Sequence, residues 1–296
     1  MMDIEEITET IFLVRGEKRG KFPFSHSILI EDDVCALIDT GCGLQQLRKM
    51  RSVPLHMVFN SHSHIDHTSG NWYFPHIPLV VPEQEFEYNS NLFSLSQRYV
   101  SRELSPVWRE FVTHTTIFKD ARPTRSYGEG DIFDFGNTRF EVIHTPGHCT
   151  GHHCFFERSQ NLLLSFDIDL TRFGPWYGHE ESDIDQFLAS IERIRRLHPD
   201  IILSSHKGVI REDIDNNLIA FGKIIHQRDE KILSFLSEER TLEEIVDSAL
   251  IYGTFPFSPR LLRYWESVMI CKHLRRLMNM GRVVQTERGF QRDRGN

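Results

Sequence analysis

Four side chains able to hold a metal ion fall within six consecutive residues of this 296-residue chain, in His62-Ser-His64-Ile-Asp66-His67. They follow Met57-Val-Phe59, a short apolar run that reads as a buried strand. A regular helix could not aim all four at one ion. On a loop at a strand end they can diverge, His62 and His64 one way, Asp66 and His67 curling toward a neighbouring position. Neutral imidazole and carboxylate suit Zn²⁺ first, with Fe and Mn also accommodated. A purely structural role would leave four polar groups crowded at a strand end without reason. Isolated histidines such as His56, His114 and His226 read instead as surface or hydrogen-bonded residues.

Further ligands must come from elsewhere, and three candidates have similar settings. His148 lies in Thr145-Pro-Gly-His-Cys-Thr-Gly-His152, a Gly-rich turn after a strand. Asp167 ends the apolar run Leu162–Phe166, and His206 follows Ile201–Leu203. Three strand ends, each with a ligand-type residue, are what a site along one sheet edge requires. Two cations about 3.5–4 Å apart would ionise a shared water near neutral pH, giving a hydroxide nucleophile, and polarise a carbonyl or phosphoryl oxygen. No Ser or Cys nucleophile is then needed. Cys149 adjoins His148, but neighbours on an extended segment diverge, so it reads as structural.

The elements that must position these residues alternate in type. Ile11–Val14, Ser25–Ile30 and Val34–Ile38 read as a strand meander punctuated by Gly, Pro and Asp-Asp, and Val80-Val81 as a further strand. Residues 83–118 read as helical. Strands return at Asp131–Phe135, Thr138–Ile143, His153–Phe156 and Leu162–Phe166. A helix follows, with Ser182 as its N-cap and Ile184, Phe187, Leu188, Ile191 and Ile194 on one face. Strands, helices, then strands and helices again predict an α+β fold of two sheets between helices. From residue 212 the chain turns mostly helical: a segment over 213–236, a capping box at Thr241-Leu-Glu-Glu244, and a helix from Ser258-Pro259 to Met280 stopped by Gly281. Val283–Thr286 and Gly289–Arg292 read as a small hairpin. The expected division is therefore 1–211 for the site-bearing domain and 212–296 for a small helical, winged-helix-like domain.

Composition narrows the class. Hydrophobic residues make up 40 % and charged residues 26 %, ordinary for a globular chain with a real core. The acidic N-terminus lacks the basic start of a signal peptide, no apolar run approaches the ~18 residues of a membrane span, and five cysteines without a C-x-x-C pair argue against a disulfide framework. The expected location is cytoplasmic, with no membrane partner. A net charge of −8 disfavours nucleic acid as a partner. Residues 258–296 nevertheless hold nine Lys/Arg against three Asp/Glu, which keeps that alternative open.

Taken together, Asp39-Thr-Gly41, the H-x-H-x-D-H run at 62–67, T-P-G-H-x-x-G-H at 145–152, Asp167 and Ser205-His206 resemble the metallo-β-lactamase-fold hydrolases over roughly residues 8–210. The resemblance implies a four-layer αββα sandwich. It implies that His62, His64 and His148 hold one metal and Asp66, His67 and His206 a second, with Asp167 bridging both. It also implies that Asp66 acts catalytically, orienting the nucleophile or shuttling a proton, and that Asp39 steadies the ligand loop. Departures narrow the subgroup. Asp167 stands where the antibiotic-hydrolysing members often carry Cys, and His64 where flavodiiron proteins usually have Glu. The space between Asp167 and His206 has no room for the β-CASP insertion, and Leu170 replaces the tyrosine of acyl-homoserine lactonases.

What remains is similar to the glyoxalase II-like thioesterases and to the lactamase-β-2-like proteins, the latter with a winged helical extension like residues 212–296. The resulting expectation is a hydrolase that uses two divalent metal ions on a small-molecule thioester, lactone or related ester. The alternatives are a phosphodiesterase or ribonuclease gripping nucleic acid with residues 212–296, and a nonheme-iron oxidoreductase. The aromatic loop Arg172-Phe-Gly-Pro-Trp-Tyr-Gly-His179, Lys207, and the loop 16–24 with Lys18, Arg19 and Lys21 are candidate substrate contacts. Pairing of the C-terminal helices into a homodimer is left open by the sequence.

Overall fold

The computed structural model describes residues 3–89 and 91–293. The first sheet comprises β1 (Ile4–Glu6), β2 (Ile11–Val14), β3 (Ser27–Ile30), β4 (Ala36–Ile38), β5 (Met57–Phe59), β6 (Leu79–Pro82) and β7 (Arg125–Tyr127), adjacent in chain order. Its first half is an antiparallel meander, whereas β4 through β7 run parallel. The second sheet contains β8 (Ile132–Asp134), β9 (Arg139–His144), β10 (His153–Glu157), β11 (Leu162–Phe166), β12 (Ile201–Ser204) and β13 (Gly208–Ile210). Its spatial order is β13-β12-β11-β10-β9-β8, with only β11 and β12 parallel.

The helices are α1 (Leu44–Lys49), α2 (Ile65–Thr68), α3 (Leu92–Tyr99), α4 (Ser105–Thr115), α5 (Ile184–Arg195), α6 (Ile214–Phe235), α7 (Leu242–Asp247) and α8 (Pro259–Asn279).

Period-two alternation sorts the strand residues between layers. Leu162, Leu164 and Phe166 of β11 face the inter-sheet core with Ile28, Ile38, Phe59 and Phe155. Leu163, on the opposite face, packs with Phe187 and Ile191 of α5 and Leu218 and Phe221 of α6. On the other side, Leu37 and Val58 meet Leu47 of α1. Helix, sheet, sheet, helix is the four-layer αββα arrangement expected. A one-residue slip of β11 would exchange its two apolar sets, so packing pins the register that delivers Asp167 to the sheet edge.

Residues 212–293 form three helices and a hairpin, β14 (Val283–Gln285) with β15 (Phe290–Arg292). The Thr241–Glu244 capping box is present. Ile225 and Met269 from these helices share the core under α5, and Leu261, Leu262 and Trp265 of α8 pack with Leu95, Tyr99 and Trp108 of α3 and α4. No helix among the described residues is long and apolar enough to cross a membrane.

Two local expectations change. Within 83–118 the described chain has a 3-10 turn at Glu83–Glu85 and two separate helices; Ser90 lies outside the described residues. Asn91 starts α3 by accepting from Ser94 N at 2.8 Å, and Pro106 sits in the first turn of α4, where it lacks no needed donor. The cap of α5 is Asp183, which accepts from Gln186 N at 2.8 Å. Ser182 instead donates to the His148 carbonyl at 2.7 Å, tying the helix start to the ligand loop.

Candidate metal centre and its pocket

All seven residues singled out by the sequence converge on one edge where loops leave the two sheets. His62, His64, His148 and Asp167 bring ligand atoms within 4.8 Å of one another, and Asp66, His67 and His206 do the same beside them. Asp167 lies between the groups: Oδ1 is 3.0 Å from His67 Nε2 and 3.5 Å from His206 Nε2, while Oδ2 is 3.2 Å from His148 Nε2 and 3.8 Å from His62 Nε2. Asp66 Oδ2 is 3.4 Å from His206 Nε2.

Each imidazole is anchored on one nitrogen so that the other faces the centre, the outer support that metal-ligating histidines require. His67 Nδ1 donates to Asp39 Oδ2 at 2.7 Å, and the same carboxylate accepts from Ser61 N and Oγ, both at 2.8 Å. His148 Nδ1 donates to the Trp176 carbonyl at 2.8 Å and His206 Nδ1 to the Gly20 carbonyl at 2.6 Å. His62 Nδ1 meets Ser61 Oγ at 3.0 Å. His64 Nε2 meets His179 Nδ1 at 3.3 Å, which leaves His64 Nδ1 facing His148 Nε2 at 2.8 Å. His152 accepts from Asp167 N at 3.2 Å and so helps place that carboxylate.

Two glycines of the motifs have steric reasons. A Cβ on Gly41 would stand 1.4 Å from the Asp66 carbonyl, and one on Gly147 would stand 2.3 Å from the backbone nitrogen of Phe187. Gly147 also has φ +124°, a conformation L side chains rarely adopt. Thus Asp39-Thr-Gly41 and Thr-Pro-Gly-His148 admit close backbone approach at the points where ligand loops cross other elements.

The donor set fits cations. His62 Nε2, His67 Nε2 and Asp167 Oδ1 are buried without a hydrogen-bond partner; the 3.0 Å approach of the last two lacks hydrogen-bond alignment. Leaving such atoms unsatisfied costs roughly 1–3 kcal/mol each, a cost that metal coordination removes. Burial, reinforced by neighbouring rings, holds His62 and His64 well below the ordinary histidine range, so both are neutral donors at pH 7. Burial also pulls His206 down, but Asp167 and Asp66 outweigh it and lift the ring to about 10. That proton preference marks a strongly anionic position that a cation can occupy.

Sequence reasoning passed over several contributors. His179 orients His64, and Tyr99 packs against both rings, its centroid 5.2 Å from that of His64 and 4.2 Å from that of His179. Beneath the ligand loops, Arg98 bonds Glu85 and Ser63, donates to Glu181 at 2.8 Å and to Thr150 at 2.9 Å. His179 was visible as the end of the aromatic loop, whereas nothing in the spacing of Glu85, Arg98 and Glu181 signals their meeting. Cys149 is buried against Glu85, and burial pushes its thiol well above the ordinary range, consistent with a structural residue.

A cavity of about 470 Å³ opens beside the centre. His64, Asp66, His148, Asp167, Asp169 and His206 form its polar end, Thr171 lines it beside Asp169, and Trp108, Phe173, Trp176, Tyr252, Phe257, Leu262 and Trp265 make up most of the remainder. Both expected loops reach it, through Lys21 and Phe22 and through Phe173, Trp176 and His179.

The sandwich and its edge centre define a metal-binding hydrolase scaffold. A sequence profile of the metallo-β-lactamase superfamily matches residues 20–206, more than half of the chain; the protein belongs to that superfamily, and it is an enzyme of the hydrolase type. An acyl-coenzyme A thioesterase, MBLAC2, of Gallus gallus is 26 % identical over 230 residues, covering 72 % of this chain and 73 % of that protein. An atrochrysone carboxyl ACP thioesterase of Claviceps purpurea is 23 % identical, covering 88 % and 81 %. Among solved structures, a metallo-β-lactamase family protein of Thermus thermophilus superposes with a TM-score of 0.73 at 19 % identity, covering 97 % of this chain and 100 % of that one.

Proposed function

We propose that the protein hydrolyses a small-molecule thioester at a centre of two divalent cations, zinc foremost. His62, His64 and His148 would hold one ion and Asp66, His67 and His206 the other, with Asp167 between them. The observation that carries this reading is the set of inward, unpartnered atoms on His62, His67 and Asp167 at the end of an apolar cavity. Cations there would acidify water and polarise a carbonyl oxygen.

The chain's own residues supply the rest. Asp39, the Trp176 carbonyl and the Gly20 carbonyl fix the rings of His67, His148 and His206 before substrate arrives, so little reorganisation is needed during reaction. Asp66 lines the cavity floor, where its carboxylate can orient the attacking water and carry its proton. The aromatic walls displace water from the acyl side of the substrate. They also offer an aliphatic or aryl group more than they offer a sugar-phosphate backbone, and the relatives named as thioesterases favour an ester of sulfur.

The test is metal analysis of the purified protein joined to a panel of thioester, lactone, bis-p-nitrophenyl phosphate and RNA substrates. Two ions per chain and preferential thioester cleavage are expected. Preferential cleavage of RNA or of the phosphodiester would overturn the thioester reading, and a single ion per chain would overturn the dinuclear one.

A further inference from the structure

We infer that Arg228 of α6 is a positioning residue for the metal centre: it sets the 173–177 segment so that the Trp176 carbonyl can hold His148. Residues 212–293 are then part of the site rather than a grip appended to it. The inference rests on the two-ion reading above and adds which half of the centre those residues govern.

Arg228 is 4 % exposed, and its bonds go to neutral oxygens of one short segment. Nη1 donates to the Pro175 carbonyl at 2.5 Å and to Tyr177 Oη at 2.8 Å, and Nη2 donates to the Phe173 carbonyl at 2.6 Å. No carboxylate among the described residues lies within ion-pair distance of it. A buried cation is costly, and an apolar side chain of similar volume would fill the space at less cost. The fork does what an apolar chain cannot: it fixes two carbonyls and a phenol at defined positions. The segment is also pressed onto α6. Gly174 has φ +84°, and a Cβ there would stand 2.6 Å from Ile224 Cγ2.

The carbonyl between the pinned positions, that of Trp176, goes instead to His148 Nδ1 at 2.8 Å. With Pro175 and Tyr177 held on either side, the Trp176 peptide has little freedom to rotate, so its direction is set from α6. Trp176 Nε1 adds a second tie to the C-terminal helices, donating to Tyr252 Oη at 2.7 Å. The segment then runs to His179, whose Nδ1 lies 3.3 Å from His64 Nε2, and to Ser182, which bonds the His148 carbonyl. Lys272 of α8 holds that end by donating to the Ser182 carbonyl at 2.7 Å. His64 and His148 thus take their outer supports from a loop clamped by α6 and α8. The outer bonds on His67 and His206 come from Asp39 and Gly20, which lie outside that clamp.

Zinc-loaded protein titrated with a chelator, with bound metal counted at each step, tests this. In Arg228→Met the ion held by His62, His64 and His148 should weaken by about 10–100-fold, as when an outer support of a ligand is lost. The ion held by Asp66, His67 and His206 should change far less. Arg228→Lys keeps a buried cation but has one nitrogen in place of a fork that spans three acceptors. It should weaken the same ion at the lower end of that range, and it carries the test if Arg228→Met does not fold. Ile232→Ala, in the core of the C-terminal helices, should lower the denaturation midpoint and leave both ions bound as in the parent. Parent-like release from either folded Arg228 variant, or equal weakening of both ions, would overturn the inference while leaving the two-ion reading intact. The same ion-selective weakening in Ile232→Ala would also overturn it, since loss of stability alone would then account for the effect. A parent protein that holds fewer than two zinc ions would overturn the two-ion reading itself, and the inference with it.

Discussion

Two buried clusters in this molecule bring metal-competent side chains equally close, and they differ in what already satisfies them. Glu85, Cys149 and Glu181 lie within 4.8 Å of one another, as do His62, His64, His148 and Asp167. In the first cluster the Arg98 guanidinium, with its side chain 4 % exposed, pairs with both carboxylates. In the second the nearest charge is another acceptor or another imidazole, and inward atoms of His62 and Asp167 have no partner. Proximity alone therefore does not make a metal site. A set of donors whose outer atoms are anchored and whose inner atoms lack a proton or cation does. The largest effect expected of this difference is at Asp167, the residue both halves of the centre touch. Asp167→Ala should cut kcat by more than about 10³-fold, beyond the 10–100-fold typical of outer supports, and lower the metal content by mass spectrometry. Full metal content in that variant would remove the distinction between the clusters.

Arg98 should show the converse. Arg98→Met leaves the fully buried Glu85 and the part-exposed Glu181 without their cation; loss of the partner of a buried charge typically destabilises by about 3–5 kcal/mol. Chemical denaturation should detect it, with metal affinity per folded molecule changed far less. Arg98→Lys should recover part of the stability, since it restores charge but not the fork that also reaches Ser63 and Thr150. If Arg98→Met instead gained a further bound metal, the Glu85 cluster would be a suppressed metal site and the contrast would be one of occupancy only.

The ligand cluster was legible in the sequence, and so was one support, Asp39, which holds His67 and Ser61; the support built on Arg98 was not, for a physical reason. Ligands sit at strand ends and in short Gly-bearing turns, so His62–His67, His148, Asp167 and His206 carry local signatures. The β10 and β11 runs are buried on both faces because each is covered by a layer, and in β11 this shows as a nearly continuous apolar run. Arg98, Glu85 and Glu181 meet through tertiary folding across 13 and 83 residues, and each alone looks like a surface charge. Strands β1, β7 and β13, three residues each, are too short to show a period. The stretch 83–118 had helical composition throughout, but Asn91 and Pro106 start new helices instead of continuing one.

Acid should distinguish buried histidines that lie outside the centre from those within it. Burial holds His153 at about 4, against its ordinary 6.5. The unfolded chain therefore takes up a proton between pH 6.5 and 4 that the folded chain refuses, and stability falls as pH drops through that window. The loss attributable to His153 is about 3 kcal/mol at pH 4 relative to pH 7. His153→Gln should flatten the acid limb of a stability–pH profile measured in chelator, where the ligand histidines hold no metal. An unchanged acid limb would mean that His153 is protonated in the folded protein.

The smallest effect, and the sharpest probe of the asymmetry within the centre, is expected at Asp39. Its carboxylate contacts His67 and Ser61 but none of His64, His148 or His206. Asp39→Asn keeps an acceptor of the same shape and removes the charge that orients and polarises His67. On the two-ion reading, the ion held by Asp66, His67 and His206 should weaken by about 10–100-fold, while the ion held by His62, His64 and His148 should change much less. Chelator competition followed by metal counting would then show one ion released ahead of the other, in a single step absent from the parent protein. Equal weakening of both ions would mean that Asp39 acts through the whole 61–67 loop, whose Ser61 it also holds, and that the two halves of the centre are mechanically one.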